Sequence, residues 1–371
     1  MIARKDARGS APLRTLPTTA PRFGRIAIVG AGVRARRLYI PAFLGASPYV
    51  RVVGVLDSDP TALAAAAENL PPNTATASRG LKGLLTRCSP DLVVVSGPDH
   101  THVEYVVEAL ACDVDVLVEK PFVITPHQAG TVATAESRSQ GRVYVAHNFR
   151  FLNAHREIRE YVRSGALGDV MSLSLDYRLS PEHSGSYLER WHRSRFRSGG
   201  MEATKCSHHI DLMNFWLDDV PARAAVMGGR NHSLWRTAAA LHKDADIDDT
   251  LSACLVYRSG ALATYSLTPE SVWEGYETTI RGTAGELLFR YEVRSAESQH
   301  VIRLRGAEVT RERRLPREPG GHGGADQHML NHLLYGDHDA EPFPGTPDGV
   351  AALALVTGFD RAGTGGTNTY G

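Results

Sequence analysis

An apolar run, Ile26 to Val29, leads directly into Gly30-Ala31-Gly32-Val33-Arg34-Ala35, and no other feature restricts the fold of this chain as much. A buried strand followed at once by G-x-G-x-x-A is the turn that opens a dinucleotide-binding helix. Gly30 permits the tight turn, Gly32 lets the backbone approach a pyrophosphate, and Ala35 lets helix and strand pack closely. The helix N-terminus, with Val33 in its first turn, offers unpaired N–H groups to phosphate oxygens. Asp57 ends the next apolar run, Val50 to Leu56. A carboxylate there accepts hydrogen bonds from ribose hydroxyls and repels a 2′-phosphate. NAD is therefore the expected cofactor. NADP stays open through Arg34, Arg36 and Arg37, any of which could pair with a 2′-phosphate.

The segments that follow keep the same rhythm. Leu92 to Val95, Val114 to Val118 and Val143 to His147 are almost unbroken apolar, β-branched runs, the pattern of strands buried on both faces. Ala62 to Leu70, Val103 to Leu110 and Pro126 to Ser139 have helical composition or spacing between them. Strand and helix alternating in this way predict an α/β Rossmann domain with a parallel sheet.

After Phe151 the rhythm changes. One helix, Ala154 to Arg163, precedes closely spaced strands: Met171 to Leu179, Leu251 to Tyr257, Ala261 to Leu267, Thr278 to Arg281 and Glu286 to Tyr291. Ser259-Gly260 and Gly282-Thr283-Ala284-Gly285 make short turns between them, which favours an antiparallel sheet. A helix from Thr204 to Leu217 interrupts the strands. The Arg-, Pro- and Gly-rich stretch from Arg311 to Gly324 is expected to be a loop, and Asp348 to Phe359 a closing helix. The expected organisation is a flexible tail over 1–23, a dinucleotide-binding domain over 24–150 and a substrate-binding and oligomerisation domain over 151–345. A helix packing back over 346–362 and a second flexible tail over 363–371 complete it.

Composition removes several classes of function. Lys plus Arg equals Asp plus Glu, 41 of each, so no overall field attracts nucleic acid or an anionic membrane. No apolar run approaches the roughly 20 residues that span a bilayer. Cys88, Cys112, Cys206 and Cys254 are scattered without a C-x-x-C pair, which fits a reducing, cytoplasmic setting better than a disulfide framework.

The catalytic end is announced by Glu119-Lys120-Pro121 at a strand's C-terminal edge, where open α/β sheets bind ligands. Together with Pro98-Asp99-His100-Thr101-His102, the glycine fingerprint and Gly199-Gly200 … His208-His209-Ile210-Asp211, it resembles the Gfo/Idh/MocA family of oxidoreductases over roughly residues 24 to 360. The resemblance implies a Rossmann domain followed by an α+β domain with a large, mostly antiparallel open sheet, often used for homodimer or homotetramer formation. It implies redox chemistry at one carbon of a sugar, aminocyclitol, nucleotide-sugar or similar small molecule. Pro98, His102, Glu119, Lys120 and Asn148 fall on the cofactor side, where Asn148 either reaches the nicotinamide or closes a turn. Lys120 matches the family lysine that hydrogen-bonds the reacting oxygen, and His208 the histidine of its G-G…D-x-G-x-H-x-x-D motif.

Here Thr204 and Cys206 stand where that motif has aspartate and glycine. The Thr-Lys-Cys-Ser-His-His-Ile-Asp run is similar to a subgroup with His-Lys-Ser-Thr-His-His-Phe-Asp, and His322-Gly323-Gly324-Ala325-Asp326 resembles that subgroup's H-G-G-G-D loop. Oxidising a carbinol requires a base within hydrogen-bond reach of the hydroxyl proton. His208 is the expected acid/base and Lys120 the group that polarises the substrate oxygen. Lys205 would orient the substrate or hold a charge on it. Arg150, at the domain junction, Thr204 and Asp211 complete the expected substrate contacts, Asp211 with a structural role as its alternative. Adjacent histidines on a helix point about 100° apart, so His208 and His209 do not suggest a metal. Besides net redox turnover, tightly held NAD serving transient oxidation for epimerisation, elimination or glycoside cleavage is a second reading. A ligand sensor without turnover is a third.

Overall fold

The computed structural model describes residues 20–230, 236–237, 240–294, 297–304, 310–316 and 318–356. The first sheet is six-stranded and parallel, built from β1 (Arg25–Val29), β2 (Arg51–Leu56), β3 (Ala75–Ala77), β4 (Leu92–Val95), β5 (Asp115–Val118) and β6 (Val143–Val145). Its order, β3-β2-β1-β4-β5-β6, reverses direction between β1 and β4. Ligands bind at such a reversal, outside the carboxyl ends of the strands. All four residues of β4 are fully buried, because helices cover both faces of the sheet. Two short elements were not anticipated: β3, which has no periodicity to read, and the helix Leu81–Cys88.

The second sheet has eight strands: β7 (Val170–Arg178), β8 (Pro221–Gly229), β9 (Thr250–Tyr257), β10 (Leu262–Thr268), β11 (Gly275–Gly282), β12 (Gly285–Glu292), β13 (Glu297–Leu304) and β14 (Thr310–Pro316). They lie in the order β14-β13-β12-β11-β7-β10-β9-β8, antiparallel except where β7 meets β10. The expected turns at Ser259-Gly260 and Gly282-Gly285 join antiparallel pairs. The Arg311 to Gly324 loop needs correction: residues 310–316 pair with β13 as an edge strand, and Gly321–Gly324 form a 3₁₀ turn. Charged residues on an edge strand discourage pairing with another chain, and they also mask the strand pattern.

Leu173, Leu175 and Tyr177 of β7 pack with Ile158 of the helix Asn153–Arg163 and with Ile210, Met213 and Trp216 of the helix Ser207–Leu217. Residues 207–216 of that last helix are all buried, so it lies inside the molecule rather than on it. The helix Ala325–Tyr335 returns to the first half, where Met329, Leu330 and Leu333 share a core with Phe43 and Tyr144. The closing helix runs from Thr346 to Ala352, earlier than expected, because Gly345 N–H donates to Asp348 Oδ2 at 2.9 Å and Pro347 sets its first turn. The expected tails fall largely outside the described residues, but Phe23 is buried and Arg22 N–H donates to the Leu334 carbonyl at 2.7 Å.

Candidate active site

The two fingerprint glycines serve different needs. Gly30 has φ +91°, and a Cβ on it would lie 2.5 Å from the Gly97 nitrogen, so the fold itself demands glycine there. A Cβ on Gly32 would meet nothing within 4 Å. The protein leaves that space open, as a cradle for a pyrophosphate requires. Asp57 accepts from Ala31 N–H at 2.6 Å and from Asp59 N–H at 2.8 Å, so its carboxylate braces the glycine turn. Val33 is exposed at the tip of the loop.

Arg34 is held in place. Its guanidinium donates to both oxygens of Asp326, at 2.9 and 2.7 Å, and to Glu119, which also receives the Tyr39 hydroxyl at 2.7 Å. Asp326 further accepts from Asn148 Nδ2 at 2.7 Å and is paired with His322 at 2.9 Å. Burial works to raise the Asp326 pKa, but His322 and Arg34 outweigh it and hold the carboxyl well below the usual range. One carboxylate thus ties the fingerprint helix to the second half of the chain.

Pro98 and Asn148 stand at the ends of the same sheet, Pro98 exposed and Asn148 buried against Asp326. His102 is fully buried, with one ring nitrogen 2.9 Å from the Pro121 carbonyl and the other 3.0 Å from the Gly97 carbonyl. Burial pushes its pKa down, and its ring braces two loops instead of presenting a free nitrogen to a ligand. Lys120 Nζ donates to the Thr204 carbonyl at 3.0 Å. Burial lowers the lysine pKa, while Asp99 and Glu119 work to raise it.

A cavity of about 460 Å³ is lined by His208, Lys205, His183, Glu274, Tyr276 and His322 among others, and Lys120 is not among its lining residues. His208 is buried and stacks on Phe149 with ring centroids 4.9 Å apart. Burial first, then the charges of Lys120 and Lys205, holds its pKa well below the ordinary histidine value. Such an imidazole is neutral at physiological pH and free to take a proton. The Lys205 ammonium lies 4.9 Å over the Tyr177 ring, and burial, helped by Lys120, brings its pKa down to about 7. The π-helical turn Glu202–Cys206, which sets both Thr204 and Lys205, is the widened kind of turn that recurs at functional sites.

Opposite them, Glu274 accepts from the Ser180 hydroxyl at 2.8 Å and is paired with His183 at 2.5 Å. Sequence reasoning missed this pair, because its members lie on segments 91 residues apart with no shared motif. His322, found only as part of a loop resemblance, adopts φ +52°, a left-handed conformation costly for a side chain with a Cβ. Holding His322 there directs it to the cavity and to Asp326 at once.

Three expected substrate contacts require correction. Arg150 donates to both oxygens of Asp211, at 2.8 and 2.6 Å, and to Asp348 at 2.8 Å. Asp211 is 1% exposed, and both of its oxygens are engaged by Arg150. Neither residue lines the cavity of His208; Arg150 faces a separate cleft with Arg156 and Phe343. Thr204 is 2% exposed and meets Lys120 through its backbone carbonyl. Among the described residues no group of three or more His, Cys, Asp or Glu side chains could hold a metal ion, and His209 is turned to the Tyr265 hydroxyl at 3.1 Å.

The family model described as "Oxidoreductase family, NAD-binding Rossmann fold" matches residues 24–147, and its companion, "Oxidoreductase family, C-terminal alpha/beta domain", matches residues 159–368. The chain belongs to the Gfo/Idh/MocA oxidoreductase family. YteT of Bacillus subtilis (strain 168), whose name assigns it provisionally to the oxidoreductases, is 30% identical over 91% of this chain and 95% of its own. The 1,5-anhydro-D-fructose reductase of Ensifer adhaerens is 27% identical over 71% of this chain and 74% of its own. A levoglucosan dehydrogenase solved with NADH shares the fold, with a TM-score of 0.74 at 18% identity over 90% of this chain and 94% of that one. Membership accounts for the two-sheet architecture and for NAD as the cofactor, and the open space at Gly32 fits such a ligand.

Proposed function

We propose that the protein is a dehydrogenase or ketoreductase that moves hydride between NAD and one carbinol or keto carbon of a sugar, aminocyclitol or nucleotide-sugar. The observation that carries this reading is a neutral, buried His208 lining a 460 Å³ cavity close enough to Lys120 for the ammonium to depress its pKa. The bound nicotinamide supplies hydride acceptance and donation. The remaining work falls to side chains. As the substrate C–H hydride leaves, the O–H proton passes to His208, and Lys120 stabilises the negative charge developing on the oxygen. In the reducing direction the ring must first take up a proton, which its depressed pKa disfavours at neutral pH. Lys205, His183 and Glu274 offer the hydrogen-bonding groups that would orient ring hydroxyls. The depressed pKa keeps the imidazole unprotonated across the neutral range.

Asp57 at the end of β2 and the engagement of Arg34 by Asp326 and Glu119 support NAD over NADP. Arg36 and Arg37 remain exposed. Leu262, Cys254 and Met227 are exposed on the sheet face turned from the core, and we read that face as the site of dimer or tetramer formation. No helix among the described residues is long and apolar enough to cross a membrane, and cytoplasmic action is part of this proposal.

Nucleotide fluorescence tests the core of it. NADH is expected to bind more tightly than NADPH and to be lost on desalting. Nucleotide that survives desalting would favour internal, transient oxidation, and absence of binding would refute the oxidoreductase reading. With a substrate from a polyol and sugar screen, His208→Ala is expected to lower kcat about 100-fold. Retention of more than about a tenth of the activity would remove His208 from the acid/base role.

A further inference from the structure

Asp99 begins the turn after β4, and Lys120 follows β5; the two strands pair in parallel with Val95 opposite Val118. The Asp99 side chain is 7% exposed, and its Oδ2 has no hydrogen-bond partner. The Thr204 side chain works to lower the Asp99 pKa, and the Thr204 carbonyl receives Lys120 Nζ at 3.0 Å. A carboxylate, a neutral bridge and an ammonium therefore converge from three separate segments. A buried carboxylate with an unmatched oxygen is costly to fold, and such groups persist where they serve a charge nearby.

We propose that Asp99 is a positioning residue for the reaction: with Thr204 as the bridge, it keeps Lys120 a charged ammonium and fixes it toward the substrate oxygen. This rests on the reading of Lys120 as the polarising group. Burial pushes the Lys120 pKa down, and among nearby charges Asp99 is the strongest that opposes this. Glu119 and Asp326 assist, while Arg34 acts against them. From the second half of the chain Lys205 and His208 face the same ammonium, and Tyr187 is the titratable neighbour of Asp99. Burial pushes Asp99 itself up to about 7, so the support it lends Lys120 grows as pH rises through neutrality.

Competitive acetylation of the full chain over a range of pH, read by peptide mass spectrometry, gives the apparent pKa of Lys120 without any substrate. Asp99→Asn is expected to lower that value by about one unit or more, and Asp99→Asn with Thr204→Asp to recover roughly half of the drop. Thr204→Val, which removes only the bridge, is expected to lower it by less. Circular dichroism and NADH titration establish that each variant is folded. A shift below about 0.3 unit in folded Asp99→Asn overturns the proposal. If Asp99→Asn does not fold, an unchanged Lys120 titration in Thr204→Val overturns it instead. Failure of the wild-type protein to bind NADH would defeat the dehydrogenase reading separately, since the lysine titration is read apart from it.

Discussion

At the scale of single residues, Gly30 and Gly32 separate what the fold requires from what a ligand requires. Alanine at 30 would drive a Cβ into the Gly97 backbone at positive φ, and Gly30→Ala should cost about 3 kcal/mol or more in urea denaturation. Alanine at 32 meets only empty space. Gly32→Ala should stay within about 0.5 kcal/mol of wild type while weakening NADH about tenfold or more in a fluorescence titration. Equal loss of stability in both variants would mean that the cradle is packed by the protein itself. The roles of these glycines were legible because the motif is local and sits directly after a strand. Lys120 and His208 were legible only through a family pattern, since nothing in their own spacing brings them together. His183 and Glu274 left no signal, being an ion pair made by tertiary structure alone.

At the scale of elements, the buried helix Ser207–Leu217 carries both cavity and core residues on different faces. Its Asp211 pairs with Arg150, which arrives from the 3₁₀ turn after β6 and binds the carboxylate through two nitrogens. Arg150→Met would leave buried Asp211 with only His147, 3.6 Å away, as an ionic neighbour, a change worth about 3–5 kcal/mol. Chemical denaturation should register that loss, while the KM for substrate in the surviving folded enzyme should hardly change. A large KM effect with intact stability would return Arg150 to the substrate site. Spacing placed Asp211 near His208 along the helix, but faces of a helix are told apart only once its neighbours are known. Five of the six strands of the parallel sheet were read almost to the residue because they are largely apolar; β3 was not. β8, β13 and β14 escaped; β8 and β14 are edges of the second sheet, and proline, glycine or charge occupies them in place of an alternating apolar pattern.

At the scale of the whole molecule, Asp326 joins the halves by binding Arg34, Asn148 and His322 together. Its folded pKa lies below its unfolded value, so its contribution is complete above about pH 4 and is lost as pH falls further toward the native pKa. Asp326→Asn should cost about 3 kcal/mol at pH 7, and the gap to wild type should narrow at pH 3 in urea midpoints. A gap independent of pH would deny the carboxylate that role. The same region governs how the molecule comes into being. The helix Ala325–Tyr335 fills a core with Phe43 and Tyr144, and Val145 N–H bonds the Pro344 carbonyl at 2.7 Å. The nucleotide domain therefore leaves the ribosome before the segment that completes its core. At translation rates of about 5–20 residues per second, its apolar seam waits many seconds for the segment that covers it. Over that interval the nascent chain is exposed to chaperones, and the cofactor cradle is secured only once the segment that carries Asp326 has emerged.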